Sequence, residues 1–141
     1  MADSPSIEAW NNFVTCSQPS DYQAGSSKRS AAIASLYMEL ANNGGINSFL
    51  TCSYELDAAE VLQALVSVGA FKAAQELGLV LRELGTPVPS SSEEDRFRLL
   101  ERHWSNALDE HDVLPAEADE ELLRALQRHV RQHEAFYAAL K

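Results

Sequence analysis

Glu39-Leu40-Ala41-Asn42-Asn43-Gly44-Gly45-Ile46-Asn47-Ser48-Phe49 interrupts a strongly helical pattern with two asparagines and two glycines, after which helical spacing resumes. Gly44 can take a left-handed conformation without a Cβ clash, so a sharp turn is expected here. Asn42 and Asn43 can cap the backbone groups that such a turn exposes. Capping accounts for them better than a ligand pocket does. Upstream, Ile33, Leu36, Tyr37 and Leu40 form one face of a helix from Lys28 to Asn43, and downstream Ile46, Phe49 and Leu50 suit a short helix.

The same periodicity extends in both directions. Ile7, Trp10, Phe13 and Val14 follow Ser6, a good N-cap, and predict a helix over about residues 6 to 17. Gln18 to Ser27, with Pro19, Asp21 and Gly25, reads as a loop. Asp57 with Glu60 forms a capping-box pattern ahead of Val61, Leu62, Leu65 and Val66, and this helix is expected to stop near Gly69. Phe71, Ala74, Leu77, Gly78, Leu81 and Leu84 define the next, so the two make a tight antiparallel hairpin. Gly85-Thr86-Pro87-Val88-Pro89-Ser90-Ser91-Ser92 reads as an extended, exposed linker. Beyond it, Phe97, Leu100, Trp104 and Leu108 give the inward face of a sixth helix. Pro115 interrupts, and Leu122, Leu126, Val130, Tyr137 and Leu140 mark a final helix from about Ala118, with His133 on the same stripe. No segment shows strand alternation and no repeat emerges. The reading is all-α: a helical bundle of about six to seven helices with a central hairpin, residues 1–27 supplying an N-terminal helix and loop that join residues 28–141 in one compact unit.

Glu39, Asn43, Gly44, Gly45 and Phe49, then Ala64-Leu65 with Val68-Gly69-Ala70, then Leu108-Asp109 ahead of a long last helix, form a recognisable series. It resembles a small bacterial family long catalogued as a domain of unknown function, whose best-known member is an acidic DNA mimic. The resemblance spans roughly residues 30 to 137. Ile46 stands where that family usually has Phe, and Thr51-Cys52 where an Asn often follows the aromatic pair. The resemblance implies an all-helical fold and, for at least one member, a protein surface that occupies a repressor's DNA-binding face.

Composition sets the outer bounds. The chain has 141 residues, 45% of them hydrophobic, which is enough for one domain with a usable core. Its 21 acidic and 11 basic side chains give a formal charge of -10, which disfavours direct nucleic-acid binding through phosphates and favours basic partners. Cys16 and Cys52 lie in no CxxC, so neither a disulfide framework nor a thiolate metal site is indicated, and two buried free thiols in a reducing compartment are expected. The start has no basic or apolar leader pattern, and no apolar run could span a bilayer, so a cytoplasmic protein without a membrane partner is expected.

The acids are unevenly placed. Seven lie between Asp109 and Glu121, namely Asp109, Glu110, Asp112, Glu117, Asp119, Glu120 and Glu121, with no Lys or Arg among them. Asp119, Glu120 and Glu121 begin a helix, where the dipole favours carboxylates by roughly 0.3 to 1 kcal/mol each. Asp109, Glu110 and Asp112 fall near the predicted end of the sixth helix, where the dipole opposes them; that placement suggests either a solvated loop or an interaction surface. Carboxylates on two helices and a loop can match alternate phosphates, roughly 7 Å apart on a strand rising about 3.4 Å per nucleotide.

Other chemistry is weakly signalled. His129 and His133 share a helix face but belong to no HExxH, and a structural, semi-buried pair fits better than a metal site. No nucleophile elbow or phosphate loop is present, so neither a catalytic residue, a metal nor a cofactor is assigned. Arg96, Arg98, Arg102, Arg124, Arg128 and Arg131 are expected in helical ion pairs with Glu94, Glu101, Glu120 and Glu121. The leading expectation is a non-enzymatic acidic interaction protein with a basic partner, a DNA-binding transcription regulator being the case the resemblance implies. An immunity or adaptor protein against a basic toxin, and a small-ligand binder or enzyme at the Asn-Gly-Gly turn, are the alternatives; a homodimer stays open.

Overall fold

The computed structural model describes residues 4–140 and is all-helical. Seven α-helices run α1 Ile7–Cys16, α2 Ser27–Cys52, α3 Ala58–Val68, α4 Phe71–Leu84, α5 Glu93–His103, α6 Ala116–Gln132 and α7 Glu134–Ala138, with 3-10 turns at Pro19–Asp21 and Asn106–His111. Ser6, Ser26, Asp57 and Ser92 start α1, α2, α3 and α5, each side-chain oxygen accepting from a backbone N–H three residues on. Glu60 does not close the expected capping box. Its carboxylate instead takes a two-pronged ion pair from Arg29 on α2, at 2.8 and 3.1 Å.

The long α2 is the axis of the bundle, lying against α3, α5 and α6. It is kinked rather than ended by the glycine pair: Gly45 has φ 89° and ψ 171°, outside helical space, and Ile46 restarts the turn with its side chain fully buried. The corner therefore works one residue later than the sequence reading placed it. Tyr37 and Phe49, from either side of the kink, meet edge to face at 4.8 Å in the core. The α3–α4 hairpin forms as expected, with Gly69 left-handed at φ 92° and its N–H returned to the carbonyls of Leu65 and Val66.

Several local expectations are corrected. The sixth predicted helix stops at His103 instead of reaching Leu108, and Phe97 on it is 55% exposed. Arg96 forms no helical ion pair. Its side chain is wholly buried and donates to the carbonyls of Pro89, Leu50, Ser53 and Leu56, so it bolts α5 to the end of α2 and the segment that follows. Arg98 and Arg124 do pair, with Glu94 and Glu120 at 2.6 Å. The proline-rich linker is tied down: Val88 is buried and accepts from the Ala58 N–H at 2.9 Å, while Ser91 N–H donates to the Tyr54 carbonyl at 3.1 Å. The thiols are not buried, Cys52 being exposed and Cys16 partly so, because Phe49, Leu50 and Ser53 take the inward positions of that turn.

The last predicted helix is also two helices. A break at His133 (φ -120°, ψ 32°) lets α7 fold back, and Tyr137 Oη comes within 2.7 Å of His129 Nε2. In an unbroken helix these residues would be about 12 Å apart along the axis. His129, rather than His133, is thus the buried member of the pair. α1 closes this end, where Phe13 meets Tyr137 edge-on at 5.1 Å and the Asn12 amide donates to the carbonyls of Tyr137, Ala138 and Leu140. Among the described residues no helix is long and apolar enough to cross a membrane.

Candidate acidic interaction surface

The kink in α2 and the acidic stretch, far apart in sequence, are in contact. Asp112, just past the second 3-10 turn, accepts from the Ile46 N–H through its own carbonyl at 3.0 Å and from the Asn47 N–H through Oδ1 at 2.6 Å. It is the cap for the second half of α2, supplied from 65 residues away. Gly45 is required by the same contact: a Cβ there would lie 2.7 Å from both the carbonyl and a carboxylate oxygen of Asp112. One turn back, the Asn42 amide donates to Asp119 Oδ1 at 2.7 Å. Of the motif residues, Gly45 and Asn42 are used at the junction, Phe49 is core, Gly69 ends α3, and Glu39, Asn43 and Gly44 are exposed.

The seven carboxylates fall into two electrostatic groups. Glu117 faces Lys72 at 3.5 Å and Glu120 faces Arg124 at 2.6 Å, so opposite charges partly offset both. Asp109, Asp112, Asp119 and Glu121 are held by neutral donors: the Trp104 indole at 2.9 Å, the Asn47 N–H, the Asn42 amide and the Lys72 backbone N–H at 2.7 Å. Each has a hydrogen-bond partner while its charge stays. Glu110 is exposed, without a hydrogen bond or ion pair among the described residues. Because Asp109 and Glu110 sit on a 3-10 turn rather than at the end of α5, the opposing helix dipole inferred from the sequence is absent.

Two features here had no sequence signal. Val113, between the carboxylates of the turn and the start of α6, is 68% exposed and gives the surface an apolar point within its negative field. His111 Nδ1 lies 4.0 Å from Glu76 on α4, the one imidazole in the acidic window. The partners of Asp112 and Asp119 were equally invisible, because periodicity carries no information on which distant donor a carboxylate meets.

These observations define a class: a small, all-helical, acidic protein with several carboxylates on neutral hydrogen-bond donors near a glycine corner. The chain belongs to the DMP19-like protein family, whose model matches residues 26–138. No curated protein and no solved structure matches it.

Proposed function

We propose that the protein acts through this surface as an acidic binding module for a basic protein, with Asp109, Glu110, Asp112, Glu117, Asp119, Glu120 and Glu121 facing the partner. The observation that carries the reading is the mode of restraint. Four carboxylates are positioned by neutral hydrogen-bond donors, so they are ordered before binding and need no counter-charge removed. Solvated charge runs have no such requirement for order. The finer form of the proposal is DNA mimicry, in which the carboxylates take the place of backbone phosphates on the DNA-binding face of a cytoplasmic transcription regulator. Family membership and the formal charge of -10 support it.

The test has two stages. Affinity capture at low salt, with elution along a salt gradient, identifies the basic partner, and titration then measures its affinity for the native chain and for a variant carrying Asp109→Asn, Glu110→Gln and Asp119→Asn. The variant binds at least roughly ten-fold more weakly, each exposed charge contributing up to about 1 kcal/mol. Unchanged affinity removes the surface. For the mimic reading, operator DNA and the protein exclude one another on the regulator; a ternary complex overturns it, and release of a basic nuclease instead supports the immunity reading.

A further inference from the structure

At the opposite end of α6 from the carboxylates, a cavity of about 230 Å³ opens between α2, α3 and α6, lined by Ser27, Ser67, Arg128, His129, Gln132 and His133. No carboxylate lines it. In a chain where acids outnumber bases by 21 to 11, this end is nevertheless cationic: Arg128 and Lys28 enter no ion pair among the described residues. Lys28 is adjacent, its ammonium 4.7 Å from the centre of the Phe136 ring, and burial, with a smaller contribution from that ammonium, holds both imidazoles below their ordinary pKa. His129 is 8% exposed, its Nε2 engaged by Tyr137, and its ring centre lies 4.7 Å from that of His133. α2 begins at Ser27 on the cavity wall, so the positive end of its first segment, which runs to the Gly45 kink, adds to the same field.

We infer that this cavity is a binding site for a small tetrahedral oxyanion, phosphate or the head of a phosphomonoester. Arg128 supplies a guanidinium fork, and Ser27, Ser67, Gln132 and the imidazoles supply neutral donors. The donor set decides the ligand class, and a volume of about 230 Å³ leaves room for such an ion. The cavity uses none of the seven carboxylates, although Arg128 also borders the neighbouring groove that holds Glu117, Glu120 and Glu121.

Inorganic phosphate is titrated into the full chain at constant ionic strength, with chloride as the control, while the imidazole C–H proton resonances of all four histidines are followed. His129 and His133 shift saturably with phosphate and not with chloride, and His103 and His111 stay still. Arg128→Gln weakens the response at least ten-fold, whereas Arg98→Gln on exposed α5 leaves it intact. Glucose 6-phosphate in a second titration separates a site open to monoesters, which saturates, from one closed around free phosphate, which does not. The inference is overturned by an absence of saturation up to about 10 mM phosphate, by an equal response to chloride, or by an unchanged response in Arg128→Gln.

Discussion

Gly45 is the residue on which the α2 corner depends. Its φ of 89° is a region that side chains rarely adopt, and Asp112 fills the space a Cβ would need. Gly45→Ala is therefore destabilising by about 2 to 4 kcal/mol, read as a lower urea midpoint with an unchanged slope. Tyr37 shows the reverse effect. Its hydroxyl is buried without a partner among the described residues, and burial together with the nearby Glu76 carboxylate raises its pKa. Tyr37→Phe removes an unpaired polar group and raises stability by about 1 kcal/mol in the same assay. His129 carries a pH dependence. Burial, His133 and Lys28 lower its pKa to about 4, so the folded state holds it neutral while the unfolded chain protonates near 6.5. Its contribution is complete above pH 6.5 and is lost as pH falls through that value to about 4, a total of about 3 kcal/mol. Thermal melts between pH 7 and 4 check it, and His129→Gln flattens the slope.

At the scale of elements, the bundle is closed by polar groups that reach between helices. Asp112 caps the second half of α2, and Arg96 gathers the carbonyls that end it. Asp112→Ala costs about 1 kcal/mol or more and raises amide exchange at Ile46 and Asn47, whereas Asp112→Asn keeps an acceptor and most of that stability. The pair of variants separates the structural from the electrostatic use of one carboxylate. The helices themselves were legible, because Ser6, Asp57 and Gly69 act locally and their signals lie within a turn of their effect. The stop of α5 at His103 and the break at His133 were not. Apolar spacing continues through both, and only the gains from burying Leu108 and joining Tyr137 to His129 favour leaving the helix.

Over the whole molecule, charge is sorted along α6, carboxylates at its start and Arg124, Arg128 and Arg131 in its second half, as the helix dipole favours. Under the proposed function, binding of a basic partner to the acidic pole is strongly salt-dependent. Doubling the ionic strength weakens the complex steeply for the native chain, and the Asp109→Asn, Glu110→Gln, Asp119→Asn variant shows a shallower dependence in the same titration.

The sequence by itself determined the helical class, the hairpin at Gly69, the corner at the glycine pair and the concentration of acids from Asp109 to Glu121. Those follow from backbone preferences and periodicities that operate over a few residues. Only the tertiary structure decided that the corner meets Asp112 and Asp119, that neutral donors hold Asp109, Asp112 and Asp119, and that Arg96 is a buried bolt rather than a surface ion pair. The physical reason is that donors and acceptors pair wherever the fold brings them together, for Arg96, Asp112 and Asp119 across separations of up to 77 residues, and no local pattern encodes such a partner.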